Sequence, residues 1–364
     1  MRCEVAGANQ FRMTLSSRRS DPDAMNIVTW PAKRMVWSRI GYATSLLIIT
    51  IAAVTLYRLL HDIDVHRVIA ALHETSGRAV IFAAIFVVTG YVTLTLYDFF
   101  SLRTIGRREV PYRIAALASF TSYSIGHTLG ATVFTGGAVR FRIYSAWGLS
   151  LIEVAKIAFV TGLTFWLGNV FILGLAMAYA PETAAGVSQL PAWLNRTIAL
   201  AGLAVIAAYV IWLIPHPRTI GRDQWRITLP SAKLTLIQIG IGVMDLSSGA
   251  LAMYALLPRE PSIDLVSVLV TFVMATLLGF LSHAPGSLGV FEAALLVGLP
   301  QFRKEDLLAS LAMFRLIYFI LPFTFALLTL GAREVVLGAR AATAAGNTTG
   351  STRTRSQKDR SATL

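Results

Sequence analysis

Long stretches without any charged residue dominate the sequence. Each is long enough to cross a hydrocarbon core of about 30 Å as a helix. Their surfaces are apolar all round, whereas helices of soluble proteins carry one apolar stripe. The uncharged runs cover residues 40–57, 79–97, 114–139, 157–181, 197–215 and 265–291, and the runs 234–258 and 307–332 carry one charge each. The pattern predicts an all-α polytopic membrane protein with about eight hydrophobic segments.

Basic residues are concentrated in some of the connections between these runs. Of the 32 Lys and Arg residues, 24 lie in five segments. The remaining connections hold basic and acidic residues in near balance. The five basic segments are 1–39, 98–113, 140–156, 216–233 and 333–364. The positive-inside rule therefore predicts a multi-pass protein of the bacterial inner (plasma) membrane with both termini cytoplasmic.

Two apolar stretches, 114–139 and 265–300, begin and end on the same predicted side of the membrane. One straight crossing cannot do this. Both stretches are interrupted, the first by Gly126, Gly130, Gly136 and Gly137 and the second by the segment from His283 to Gly289. Glycine and proline breaks of this kind favour re-entrant hairpins, the first entering from the cytoplasm and the second from outside.

The other segments give six crossings, three in each half of the chain. Because three is odd, the second half would be inverted relative to the first, as in many transporters. A weak echo supports this prediction, since Asp98 lies 38 residues before Gly136 and Asp245 lies 41 before Gly286. The alternative is eight ordinary spanning helices. The predicted crossings are 40–60, 79–97, 157–181, 197–215, 234–258 and 307–332.

This organisation divides the chain into three parts. An integral membrane domain is predicted over 37–335, with repeats at about 40–181 and 197–332. Basic segments rich in Ser, Thr and Gly flank it at 1–36 and 336–364, and their composition is typical of disorder.

The net charge of +13 could indicate a nucleic-acid partner, but its placement argues otherwise. Basic loops at a membrane face meet anionic lipid, which accounts for the charge. We therefore expect membrane phospholipids as partners and no nucleic acid. A lone Cys3 excludes an internal disulfide, and the sequence predicts no metal site and no cofactor.

Ionisable residues inside apolar segments are the first candidates for function, because a charge at membrane depth is costly. Asp245 is the clearest, since uncharged sequence flanks it on both sides. Glu292 follows the second break, and Arg315 lies in the last span. These two form either a structural ion pair or part of a substrate site. For Asp98, at the predicted interface, a solvated or capping carboxylate is the favoured interpretation.

The segment around the first break joins Gly136 and Gly137 to Arg140 and Arg142. Glycine lets backbone amides approach a ligand, and arginine matches phosphate oxygens with a two-point fork. A lipid phosphate is therefore a candidate ligand. The alternative is that both arginines extend to lipid headgroups as ordinary interfacial anchors. Around the second break, His283, Gly286 and Gly289 are the corresponding headgroup candidates.

No catalytic residue is assigned, because the sequence lacks H-E-x-x-H, G-x-S-x-G, C-x-x-C and P-loop motifs. One alternative is a membrane-embedded lipid-modifying enzyme that uses Asp245, His283 and Glu292 as acid and base. Another is a non-transporting membrane partner of a separate lipid synthase.

The two glycine breaks and their surroundings resemble the membrane region of bifunctional lysylphosphatidylglycerol flippase/synthases. The resemblance spans about 40–332. It rests on Tyr97-Asp98, Arg103 to Arg108, Thr135 to Arg140, Tyr144 to Ser150, Leu163 to Gly168 and His283 to Glu292. In that family the membrane domain moves aminoacylated phosphatidylglycerol to the outer leaflet and gives resistance to cationic antimicrobial peptides.

The resemblance implies a flippase of phosphatidylglycerol-type or aminoacylated phospholipid. The two-function members continue into a soluble domain that uses charged tRNA, whereas this chain ends at Leu364 in a basic tail. It is also similar to stand-alone proteins that share this membrane region. We therefore expect no synthase activity in the chain, and we expect either a homo-oligomer or a separate synthase as protein partner.

Overall fold

The fold is taken from a computed structural model, which describes residues 70, 75–130, 132–215, 218–282 and 285–337. Ten helices and one short β-ribbon make up this part of the chain. The helices are α1 (Gly77–Thr104), α2 (Tyr112–Leu129), α3 (Thr132–Tyr144), α4 (Leu151–Tyr179), α5 (Pro181–Ser188), α6 (Ala192–Leu213), α7 (Ala232–Leu256), α8 (Leu265–Ser282), α9 (Val290–Gly298) and α10 (Lys304–Leu337). Antiparallel strands β1 (Thr219–Ile220) and β2 (Ile227–Thr228) form the ribbon between α6 and α7.

The all-α polytopic membrane class predicted from the sequence is confirmed. Six helices within the described residues are long and apolar enough to cross a membrane, namely α1, α4, α6, α7, α8 and α10. Five of them correspond to predicted crossings, and α8 is the first arm of the second predicted hairpin. The predicted crossing at 40–60 lies outside the described residues, as do the segment 1–36 and most of the tail.

The helices extend beyond the uncharged runs because charged residues occupy their end turns. Helix α4 begins at Leu151, six residues before the predicted 157, with Ser150 and Glu153 forming a reciprocal capping box. Helix α10 runs to Leu337, two residues past the predicted end of the membrane domain at 335. Apolar runs therefore locate the helices, and capping residues set their ends.

The first break forms a helical hairpin of α2 and α3. Gly130 has a φ of +75°, a backbone conformation that suits glycine and turns the chain between the arms. A side chain added at Gly126 would meet Thr132, and one at Gly136 would lie 3.1 Å from the carbonyl oxygen of Ser122. These two contacts step in opposite directions along the arms, so α2 and α3 pack antiparallel.

The second break also separates two contacting arms, α8 and α9. A 3₁₀ turn at Pro285–Ser287 lies between them, and Gly286 within it has a φ of +59°. A Cβ at Gly279 would lie 2.6 Å from the Cβ of Ser287, so α8 approaches the turn closely. The tips of the two hairpins are neighbours, because a Cβ at Gly286 would lie 3.5 Å from the carbonyl oxygen of Thr128.

Helix α7 lies at the centre of the helix packing. It contacts α1 along most of its length, and it meets α4 where glycine faces glycine. A Cβ at Gly168 would lie 2.5 Å from the Cα of Gly242, so only two glycines allow this approach of the backbones. The main apolar core draws residues from α1, α7, α8, α9 and α10.

Helix α10 contains a π-helical segment, Leu316–Ile320, directly after Arg315. The N–H of Leu321 donates to the carbonyl of Leu316, five residues back instead of four. Within this segment, the carbonyl of Tyr318 accepts a hydrogen bond from the Tyr91 hydroxyl at 3.0 Å. The irregular turn is thus tied to α1.

Candidate functional site

Asp98 of α1 and Arg140 of α3 form an ion pair in the protein interior. The Nε of Arg140 donates to both carboxylate oxygens at 3.1 and 3.0 Å, and Nη2 donates to Oδ1 at 2.9 Å. The hydroxyl of Tyr144 donates to Oδ2 at 2.8 Å. Four hydrogen bonds therefore satisfy the carboxylate and fasten the second arm of the first hairpin to α1.

The interpretation of Asp98 as a solvated or capping carboxylate is wrong, because its exposed fraction is 0 %. Helix α1 continues to Thr104, so Asp98 lies within the helix and its side chain turns inward. Arg140 is 3 % exposed, which also rules out the interpretation of this residue as a headgroup-seeking anchor. In this conformation its fork is occupied by Asp98.

Glu292 of α9 and Arg315 of α10 form a second, partly buried pair, one of the two arrangements that the sequence left open. The Nε of Arg315 donates to Oε1 of Glu292. Its Nη1 donates to the carbonyl of Gly286 at 3.0 Å. The other carboxylate oxygen accepts the backbone N–H of Gly289 at 2.8 Å. Both charged groups therefore hold the backbone of the hairpin tip.

Asp245 lies near the middle of α7 and is buried without a basic partner among the described residues. The Tyr97 hydroxyl donates to its Oδ2 at 3.2 Å. The Tyr97 ring meets that of Tyr123 at 5.6 Å between centroids, and the guanidinium carbon of Arg140 lies 4.8 Å from the Tyr123 centroid. Two tyrosines therefore connect Asp245 to the first ion pair.

The remaining predicted residues differ in their surroundings. Arg142 binds Glu334 of α10 at 2.6 Å in a partly buried pair. Gly136 packs against α2, whereas a Cβ at Gly137 would meet nothing within 4 Å. Gly289 lies at the start of α9. His283 lies outside the described residues.

The structure thus brings together three acidic and two basic side chains that are far apart in sequence. Sequence reasoning missed the tyrosines and Glu334. Tyr144 lies four residues after Arg140, on the same face of a helix, and Tyr97 precedes Asp98. That spacing was a usable signal, because a tyrosine hydroxyl in an apolar segment needs a partner. Nothing in the local sequence points from Arg142 to Glu334.

At the end of α1, a separate polar cluster joins the loop after this helix to α4. Arg107 donates to Glu153 at 2.5 Å and to Glu109 at 3.0 Å. These hydrogen bonds hold the pKa of the Arg107 guanidinium above its ordinary value. Across the residues that the structure covers, no group of three or more His, Cys, Asp or Glu side chains could hold a metal ion.

Comparisons with known proteins found sequence similarity to bacterial proteins. No family model matches the chain. Uncharacterized protein slr0712 of Synechocystis sp. is 30% identical over 251 residues, which cover 68% of this chain and 76% of that protein. Inner membrane protein YbhN of Escherichia coli is 27% identical over 277 residues, covering 73% and 83% respectively.

A more distant similarity links the chain to an enzyme of lipid modification. Phosphatidylglycerol lysyltransferase of Staphylococcus aureus is 20% identical over 299 residues, covering 80% of this chain and 33% of the enzyme. The family resemblance predicted from the glycine breaks is therefore confirmed in part, at the level of a related membrane protein.

Proposed function

The chain belongs to the same family as slr0712 of Synechocystis sp., and from that premise we propose that it is a lipid translocase that moves phospholipid between the leaflets of the inner membrane. The two hairpins would be re-entrant, and the two halves of the domain would be inverted repeats. Multi-pass topology follows from the six apolar helices. The inner-membrane location is supported by the similarity to YbhN, and cytoplasmic termini by the distribution of basic residues.

The observation that carries the proposal is that each hairpin holds one ion pair, fully buried in the first and partly buried in the second, while the hairpin tips touch. Asp98–Arg140 binds the first hairpin, and Glu292–Arg315 binds the tip of the second. Buried ion pairs are a poor source of stability, because desolvation offsets most of their attraction. A domain that only needed to span the membrane would gain as much from apolar packing, so the retained charges favour a polar cargo.

A translocated headgroup carries a phosphate, and the two arginines are the groups that match it. Arg140 and Arg315 each present a planar fork that now binds a carboxylate, and a lipid phosphate offers the same pattern of acceptors. Exchange of the carboxylate for the phosphate would open one pair and free its hairpin. Gly286, whose carbonyl Arg315 holds, would move with it.

The substrate class is phosphatidylglycerol-type or aminoacylated phospholipid. The printed name of the S. aureus relative, a phosphatidylglycerol lysyltransferase, supports this class. An aminoacylated headgroup adds a cation, and Asp245 and Glu292 are acidic groups that would face it. On this proposal the chain itself is not an enzyme, and a separate synthase supplies the lipid.

Reconstitution into proteoliposomes tests the proposal. Exchange between leaflets would be measured for headgroup-labelled phosphatidylglycerol and its lysyl derivative, with empty vesicles as background. We expect exchange of at least one lipid above background, and its loss in Arg315→Gln. Arg303→Gln is the matched control, since Arg303 is exposed and lies just before the first residue of α10.

Two outcomes would contradict the translocase. Exchange equal to that of empty vesicles for both lipids would remove it. Conversion of the labelled lipid to a product of different mass would favour a membrane-embedded enzyme instead. If Arg315→Gln and Asp245→Asn both insert and leave exchange above background unchanged, the translocase stands but the role proposed for these charges is removed.

A further inference from the structure

One face of α7 carries three buried polar side chains with unused hydrogen-bonding capacity. Thr235, Gln238 and Asp245 follow the three- and seven-residue spacing that places side chains on one side of a helix. Within the described part of the chain, no protein group hydrogen-bonds to the Thr235 hydroxyl or to either amide atom of Gln238. The same is true of Oδ1 of Asp245. We call these three residues the α7 polar face.

Several other hydroxyls in apolar surroundings are satisfied by the preceding turn of their own helix, although within the described residues those of Ser122, Tyr209 and Thr271 also lack a hydrogen-bond partner. Ser248, one turn after Asp245, donates to the carbonyl of Met244 at 2.7 Å, and Thr164 of α4 donates to that of Val160 at 3.0 Å. Buried polar groups are almost always paired, because an unpaired one loses its hydration without replacement. Among the described residues, four of the ten buried side-chain atoms without a partner lie on the α7 polar face, more than on any other helix. This clustering favours contact with small polar molecules.

We infer that the α7 polar face is a water-lined proton path, and that Asp245 is the proton acceptor at its inner end. Water is small enough to reach each group and can both donate and accept. A hydronium ion would give its proton to Oδ1 of Asp245, forming a neutral carboxylic acid and leaving water. The inference deepens the proposed function, because it rests on lipid translocation for the process that the proton drives.

The path has a direction. It begins at the Ser231 end of α7, next to the basic segment that the positive-inside rule assigns to the cytoplasm. From Ser231 to Asp245 the helix rises about 21 Å, at about 1.5 Å per residue. Beyond Asp245 the same side of α7 carries Ser248, whose hydroxyl is already bonded to the carbonyl of Met244, and then the buried apolar residues Ala252 and Leu256. Protons would therefore reach Asp245 from one side only.

The groups around Asp245 leave the proton without a competing counter-ion. From α1, Tyr97 donates to Oδ2, and Tyr91 binds the neighbouring Tyr318 of α10. From α2, Tyr123 packs on Tyr97 and on Arg140, whose charge is already matched by Asp98. Helix α4 contributes Gly168 and the carbonyl of Thr164 at Gly242.

The other two neighbours of α7 add no charge. Helix α8 contains no charged residue, and Arg196, in the first turn of α6, is hydrogen-bonded to the carbonyl of Ala178. Neutralisation of Asp245 by a proton is consistent with these surroundings.

Thiol labelling tests the path without any assay of lipid movement. The single native cysteine would be removed by Cys3→Ser, and cysteine would be placed in turn at 238 and at 252, seven residues on either side of Asp245. The native residues are 1 % and 0 % exposed, so burial alone predicts no difference. We expect a small water-soluble thiol reagent to modify Gln238→Cys at least about tenfold faster than Ala252→Cys, because the reactive thiolate forms where water is present.

Infrared difference spectra collected across a pH titration test the acceptor. The wild-type protein in lipid should show a protonated carboxyl band that titrates, and Asp245→Asn should lack it. Asp306→Asn, on the exposed first turn of α10, is the control that should retain the band. Equal labelling at 238 and 252, or an unchanged band in Asp245→Asn, would overturn the inference.

The two proposals fail separately. A pH gradient applied to proteoliposomes should change the rate of lipid exchange in the wild type and not in Asp245→Asn. Exchange that is above background but insensitive to the gradient, with no labelling contrast, would reject the proton path and leave the translocase intact. Labelling contrast without lipid exchange would reject the translocase and leave the path.

Discussion

Each hairpin is held by an ion pair between an acidic residue and an arginine, but the two pairs differ in burial and in the groups that they bind. In the first, Asp98 is fully buried and receives four hydrogen bonds from Arg140 and Tyr144, all of them from side chains. In the second, the Glu292 side chain is 17 % exposed, and the pair binds the backbone of the tip at Gly286 and Gly289. The first pair joins helices, and the second holds a turn.

This difference indicates a division of roles. A carboxylate that is fully buried and receives four hydrogen bonds is costly to exchange for a ligand, because all of these bonds must be replaced. A pair at the edge of solvent that grips a glycine-rich turn can exchange at lower cost and move the turn when it does. We therefore expect the first hairpin to serve as a fixed support and the second as the moving part.

Removal of one charge from the first pair should have the largest effect. Asp98→Asn leaves Arg140 buried without a counter-ion, and we expect a loss of about 3–5 kcal/mol in the free energy of unfolding. Unfolding would be followed in mixed micelles by circular dichroism. The double variant Asp98→Asn with Arg140→Gln should recover part of the loss. A single variant as stable as the wild type would contradict the role of a fixed support.

Disruption of the second pair should lower the free energy of unfolding less than disruption of the first, and it should reduce lipid exchange more. Arg315→Gln is expected to lower the free energy of unfolding by about 2 kcal/mol, since the freed Glu292 can reach water. Lipid exchange in the same variant should fall to background. A stability loss as large as that of Asp98→Asn, with exchange retained, would reverse the assignment of roles.

A smaller effect is expected where a glycine lets one arm of a hairpin pack closely. Gly279→Ala places a Cβ against Ser287, and we expect a cost of about 1 kcal/mol, at the low end for overpacking because a turn residue can shift. Gly137→Ala in the first hairpin is the matched control, since its Cβ meets nothing within 4 Å. Thermal unfolding of both variants measures the difference, and equal midpoints would refute the close approach of α8 to its turn.

The smallest effect is expected at the surface. Arg107 is about one third exposed, and its ion pairs with Glu153 and Glu109 should contribute roughly 0–1 kcal/mol. Arg107→Gln should therefore shift the unfolding midpoint little, and the shift should shrink as salt is added. A salt-independent shift as large as that of Arg315→Gln would show that exposure does not separate these pairs.

Much of the fold follows from the sequence, because a membrane helix has one dominant signal. Runs with at most one charge located all six of the long helices, and the glycines at 130 and 286 marked both hairpin turns. The ends of the helices were less accurate. A rule that stops at the first charge excludes Glu153, which caps α4, and Arg103, which lies in the last turn of α1.

The sequence indicated residues of the candidate site, but not which acidic side chain pairs with which basic one. Glu292 and Arg315 were recognised because a charge inside an apolar run is costly, and Arg140 because an arginine that follows two glycines matches a phosphate. Which acid meets which base depends on how helices 42 residues apart in sequence cross each other, as for Asp98 and Arg140. No local pattern carries that information, and it also explains why Asp98 was misassigned to the interface.

The π-helical turn in α10 sets the rotation about the helix axis between two residues that bind different hairpins. Arg315 lies immediately before the π-helical segment Leu316–Ile320, and Glu334, the partner of Arg142, lies beyond it. A residue added to or taken from an α-helix rotates everything downstream by about 100°. Loss of the extra residue would therefore swing Glu334 away from the first hairpin while Arg315 stayed on the second. The extra residue therefore sets the rotation between the two ends of α10, so that one continuous helix contacts both hairpins.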